Sequence, residues 1–233
     1  MRAAGTLLAE PRAAYVHVPF CRHRCGYCNF TLIAGRDDLI DRYLRALELE
    51  LQLLSSPREV DTLFFGGGTP THLPPQQLKQ LLELAMRWFP LSTAGEISAE
   101  ANPLDLTVER LAVMQDAGIN RISIGAQSFS LRKLKILERD HQPADIAAAL
   151  GAAANVASSV SLDLIFGVPD ESVGEWEEDL RQAIELRPQH ISTYGLTIEK
   201  GTSFFPRVQR GELTPANDDA AASMYERAID VLT

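Results

Sequence analysis

Cysteine is scarce in this chain of 233 residues, with three in all, and aromatics make up only 7%. Cations are also in short supply, 22 Lys and Arg against 31 Asp and Glu, which leaves a formal net charge of −9. That balance excludes a nucleic-acid partner held on a broad basic face, while leaving room for a local basic pocket. No apolar run reaches the roughly 18 to 20 residues that cross a bilayer, so no transmembrane segment is expected. The opening stretch MRAAGTLLAEPRAA is broken by Glu10 and Pro11 and is too short in apolar residues for a secretory signal. Repeats are missing beyond a βα period, and the Ala-rich stretch 147–157 reads as a helix face. With 45% hydrophobic and 23% charged residues, the expectation is one globular domain in the cytoplasm.

What is present is concentrated. All three cysteines fall in the run YVHVPFCRHRCGYCNF, as Cys21-x-x-x-Cys25-x-x-Cys28. An odd, clustered count does not suit a disulfide framework. Three thiolates on one loop can ligate three irons of a [4Fe–4S] cube, leaving the fourth iron open to a small molecule. A zinc site of three cysteines plus His17 or His23 is the alternative, although the spacing lacks the usual two-plus-two arrangement.

Short β-rich runs alternate with longer amphipathic ones, which predicts βα units and a parallel sheet. Strands are expected near 15–19, 61–65, 96–101, 121–125, 160–165 and 190–196. Helices are expected over 38–54, 75–88, 107–117, 131–137, 144–157 and 173–186, the last opened by a Ser172-x-x-Glu175 capping box, with a seventh from about Pro215. Periodicity leaves a partial barrel and an open doubly wound sheet as alternatives. Both gather ligands at the carboxyl ends of the strands. That rim carries the cysteines, Gly66-Gly67-Gly68-Thr69-Pro70, Glu100 with Asn102, Gln127, Gly167 with Pro169, and Thr197 with Glu199.

Three glycines after an apolar strand let backbone approach a ligand, or simply make a tight turn. Glu100 and Asp163 sit in apolar runs, where a carboxylate needs a ligand or a partner such as Arg121. Arg139 offers a planar fork, and Gln127 a donor and an acceptor. His141 and His190 read as structural. His17 faces opposite to Val16 and Val18, with its direction relative to the site left open.

These motifs together resemble the radical S-adenosylmethionine (SAM) superfamily, in the group of oxygen-independent coproporphyrinogen III oxidase and its heme-chaperone branch, HemW. The resemblance runs from Tyr15 to about Leu213, through FFGGGTPTHL, ISAEANP, GINRISIGAQSF, LERDH, SLDLIFGVP and HISTYGLTIEKGTSFF as well as the cysteine run. It implies an α/β fold, a partial (β/α)₆ TIM-like barrel, over 13–213, after an N-terminal tail of 1–12. It also implies that 214–233 begins a C-terminal region whose remainder, including a His-Asn-x-x-Tyr-Trp motif, is missing from this sequence.

Residue by residue, the resemblance makes Cys21, Cys25 and Cys28 the ligands of the [4Fe–4S] cluster. Tyr15, Gly67 and Glu100 become the holders of cluster-bound SAM. Gly68, Thr69, Gln127, Arg139 and Asp163 match positions that contact a second SAM in the oxidase, with Thr197 a weaker correspondence. No residue is assigned as catalytic. The oxidase carries a further cysteine where this chain has Phe30, and a longer segment before its Tyr-x-His motif; both differences favour the chaperone branch, with the site poised by packing of Phe30. Its implied ligand is heme, transferred to an acceptor protein, with an electron donor for the cluster. The alternative is oxidative decarboxylation of coproporphyrinogen III.

Overall fold

The computed structural model describes residues 10–233, so most of the expected N-terminal tail lies outside the described residues. β1 (Ala13–Val18) leads into the cysteine loop, within which β2 (Phe20–Cys21) and β3 (Ile33–Ala34) form a small parallel pair that periodicity did not disclose. β4 (Val60–Gly67), β5 (Leu91–Ala101), β6 (Arg121–Gln127), β7 (Ser159–Phe166) and β8 (His190–Gly195) follow. The large sheet is parallel throughout, in the order β1-β4-β5-β6-β7-β8, so each strand pairs with the next in sequence. β1 and β8 are its two edges, and the result is the open, partial form of a TIM-like barrel rather than a doubly wound sheet.

Helices cover one face: α1 (Ile40–Gln52), α2 (Pro75–Trp88), α3 (Val108–Asp116), α4 (Leu131–Ile136), α5 (Pro143–Ala153) and α6 (Val173–Glu185). After β8 come α7 (Phe204–Gln209) and α8 (Asp218–Leu232). Their starts follow local chemistry. The Ser172 hydroxyl accepts from the Glu175 N–H at 3.2 Å, while the Glu175 carboxylate accepts from the Ser172 N–H at 2.9 Å, the reciprocal box expected from sequence. Thr107 and Asn217 cap α3 and α8 by their side-chain oxygens alone, accepting from the Arg110 and Ala220 N–H groups. Against expectation, the Ala-rich helix stops at Ala153 rather than Ala157. Asn155 donates its side-chain amide to the Gly151 carbonyl, a bond that competes with the helical ladder.

β6 displays why the two faces of the sheet differ. Ile122, Ile124 and Ala126 are fully buried beneath the helices, while Arg121, Ser123, Gly125 and Gln127 alternate onto the opposite, part-exposed face. The same period puts Val16 and Val18 in the core and Tyr15 and His17 across from them. Hydrophobic burial therefore holds the helical layer, and the inner face is left for polar groups.

α6 anchors the far side. Trp176 is wholly buried, packs against Phe166 at 5.3 Å between ring centroids, and donates its indole N–H to the Met224 carbonyl of α8 at 2.9 Å. Beside it Lys133 is fully buried, bonded to Glu171 and, at 2.6 Å, to Asp179. Asp179 also accepts from the Ser128 hydroxyl and the Phe129 N–H, and Glu171 from the Val168 N–H. This closed knot ties the loops after β6 and β7 to α6.

Candidate cofactor site

The cysteine loop leaves β1 at the carboxyl end of the sheet and is held there by the glycine turn after β4. The Gly68 N–H donates to the Val18 carbonyl at 2.8 Å, and the Thr69 N–H to the Phe20 carbonyl at 2.8 Å. A Cβ on Gly68 would lie 2.7 Å from the Phe20 carbonyl oxygen, so only glycine lets these two chains approach so closely. Gly67 has φ +116°, and a Cβ there would strike the His17 ring. The turn is thus built to hold the loop, and it also frees the Gly67 N–H to donate to the Glu100 carboxylate at 3.0 Å.

All three thiols are free. Cys21 and Cys25 are buried, Cys28 part-exposed. Burial pushes the Cys21 and Cys28 thiols up, countered at Cys21 by the Thr69 hydroxyl, 3.3 Å from its sulfur, and at Cys28 by the Phe30 N–H. Arg139, reaching in after α4, donates one Nη to the Cys25 sulfur at 3.5 Å and the other to the Asn102 side chain and the Gly125 carbonyl. Its Nε is buried and unpaired.

On the inner face the Glu100 carboxyl stands above its ordinary value because burial disfavours its charge, against the Gly67 N–H and reinforced by nearby Asp163. Asp163 is raised by burial as well, and both its oxygens accept from the Ser123 hydroxyl, at 2.9 and 2.8 Å. Arg121 is not their partner. Its Nη donates to the Ser159 hydroxyl and its nearest carboxylate is Glu96 at 3.9 Å, lower on the same face. Two desolvated carboxyls with no cation bonded to them among the described residues can receive an ammonium or a diol.

Tyr15 stacks on Phe64, 5.8 Å between centroids, and its hydroxyl lies 3.0 Å from His17 Nδ1. His17 Nε2 sits 2.7 Å from the Thr31 carbonyl, which only accepts, so Nε2 carries a proton while Nδ1 faces the Tyr15 hydroxyl. His17 therefore faces the site, which strand alternation alone left open. His23 Nε2 is 2.7 Å from the Glu138 carbonyl. Both nitrogens of His17 are engaged, and Nε2 of His23 is bonded to the Glu138 carbonyl while lying 3.6 Å from the Cys25 sulfur, so the zinc alternative would have to take its imidazole ligand from an existing bond.

Gln127 ends β6 at φ +65°, just past a register shift, and Thr197 is exposed beyond β8. Phe30, expected to poise the site by packing, is 58% exposed in this chain. His141 is structural as expected; burial pushes it down to about 4, and the neutral ring donates Nε2–H to the Ala126 carbonyl.

A parallel partial barrel with three free thiols at its carboxyl rim defines an iron–sulfur protein class, and similarity to known proteins agrees. The radical SAM superfamily profile matches residues 15–183, and the chain belongs to that superfamily. Within it the chain falls on the HemW branch of the coproporphyrinogen III oxidase-like group. It is 41% identical to the heme chaperone HemW of Escherichia coli over 229 residues, covering 96% of this chain and 59% of that protein. Against HemW of Bacillus subtilis the identity is 37%, covering 92% and 58%. The structure of coproporphyrinogen III oxidase from Escherichia coli superposes with a TM-score of 0.84 at 29% identity, over 95% of this chain and 52% of that one. The chain thus spans between half and three-fifths of the length of these relatives.

Proposed function

We propose that this chain is the radical SAM core of a heme-binding chaperone that passes heme to an acceptor protein. The observation that carries the reading is its 37–41% identity to heme chaperones over more than nine-tenths of the chain. Radical SAM membership implies a [4Fe–4S] cluster and SAM, which when bound supply one-electron chemistry. The residues fit such a group. Cys21, Cys25 and Cys28 are the ligands, and Arg139 sets positive charge beside Cys25, offsetting the charge of thiolates.

Glu100, raised by burial and tethered to the Gly67 N–H, is suited to accept from the SAM ammonium. Gly67 keeps side-chain bulk away, and Tyr15 and Phe64 offer aromatic faces beside it. Gly68 and Thr69 fix the loop. Gln127, Arg139 and Asp163 supply the polar groups for further SAM contacts. A reductant for the cluster and a reducing, cytoplasmic setting go with this reading.

Anaerobic reconstitution followed by heme titration tests it. Iron and sulfide uptake with saturable heme binding is expected; heme binding absent from a cluster-loaded chain extended to the relatives' full length would overturn it. A second reading, coproporphyrinogen oxidation, draws support from the close superposition on the oxidase. Formation of protoporphyrinogen from coproporphyrinogen, SAM and a reductant would favour it instead.

A further inference from the structure

The two halves of the cysteine loop are secured very differently. Cys21 lies on β2, with Thr69 against its sulfur and the Gly35 N–H donating to its carbonyl at 3.3 Å. The Cys25–Cys28 half has no strand partner. Its own bonds are a local turn, Cys28 N–H to the Cys25 carbonyl, the Arg24 and Arg139 side chains, and His23 Nε2 at 3.6 Å from the Cys25 sulfur. What covers it comes from the opposite edge of the sheet, beyond β8.

There the Thr202 hydroxyl donates to the Glu199 carbonyl at 2.7 Å and turns the chain so that α7 starts against the loop. The Phe204 N–H donates to the Gly26 carbonyl at 3.0 Å, and the Ser203 hydroxyl lies 3.4 Å from the same oxygen. The Phe204 ring is wholly buried and meets Tyr27 edge-on, 6.3 Å between centroids. A Cβ on Gly26 would lie 2.3 Å from that ring, so glycine between the two ligands is what admits the phenyl group. Arg207 covers the other side of the ring at 5.4 Å and bonds Glu138 at 3.2 Å, and the carbonyl of Glu138 holds His23.

We propose that residues 199–207 form a clasp across the open edge of the barrel, in which Phe204 is a positioning residue. It holds Cys25 and Cys28 in ligating geometry through Gly26 and Tyr27. The proposal rests on the radical SAM reading for what the thiols bind, but the clasp itself is a property of the loop.

The test compares the chain with Phe204→Ala, Gly26→Ala and, as a control, Leu180→Ala, a fully buried α6 residue of the main core. Two quantities are read: the half-life of the reconstituted cluster's broad absorbance under a chelator, and alkylation rates of the three thiols in cluster-free protein. Phe204→Ala and Gly26→Ala should shorten the half-life and speed Cys25 and Cys28 alkylation by roughly tenfold or more, as lost packing favours local opening, with Cys21 little changed. Leu180→Ala should lower Tm without that selectivity. Equal half-lives in the clasp variants and the parent, or uniform exposure of all three thiols, would overturn the proposal. Should the parent itself take up no iron, the radical SAM reading fails, and the alkylation pattern alone still decides for or against the clasp.

Discussion

Two groups of buried charge sit within this small barrel, and only one of them is closed. Around Lys133, a cation meets Glu171 and Asp179, and the remaining lone pairs of both carboxylates take N–H and O–H donors from Ser128, Phe129 and Val168. At the rim, Glu100 has a single backbone donor, Asp163 has hydroxyls, and Arg139 keeps one buried N–H unpaired. The first group is complete without a ligand and serves the fold. The second is incomplete in a way that an ammonium, a diol or a sulfur cluster can finish.

The sharpest way to break the contrast is to remove a partner from the closed group. Lys133→Met leaves two buried carboxylates facing each other and should cost about 3–5 kcal/mol, or prevent folding, by chemical denaturation. An unchanged midpoint would mean that water reaches the knot. At the rim, Cys25→Ala should abolish cluster assembly, since two thiolates hold a cube poorly. Iron content and visible absorbance report it, while circular dichroism of the cluster-free chain should match the parent.

A subtler comparison uses Glu100→Gln, which should weaken SAM binding while leaving the cluster intact. It should also change stability with pH. Because the folded Glu100 carboxyl is raised above its ordinary 4.5, its stabilising contribution is full below that value and is lost as pH rises through the higher folded value. Near neutral pH the Gln variant of the cluster-free chain should therefore have the higher Tm, and the difference should vanish in acid. The smallest effect belongs to the surface: Arg181→Ala removes pairs to Glu178 and Glu185 that are solvent-exposed at both ends, and Tm should not move measurably.

The six strands of the large sheet and most of its helices were legible because alternation with amphipathic runs encodes burial directly. The rim was legible for the same reason, since a parallel sheet puts its loops where the chemistry collects. Less visible was anything depending on contacts distant in sequence. The clasp joins residues 177 apart, Ser203 to Gly26, and no local pattern announces it. Lys133 looks like an ordinary helix surface charge in LRKLKI until α6 and the loop after β7 close over it. Phe30 illustrates the converse: a residue that the family resemblance singled out is 58% exposed in this chain.

By itself the sequence determined that this is a parallel α/β protein with a three-thiol loop at the strand ends, because spacing and periodicity are properties of neighbours along a chain. Only the tertiary structure decided which charges are spent on the fold and which face the site. It also decided that the glycine turn grips the cysteine loop and that the segment after β8 returns to bond Gly26 and pack on Tyr27. Those outcomes depend on desolvation and close approach between distant segments, which exist only once the sheet has formed.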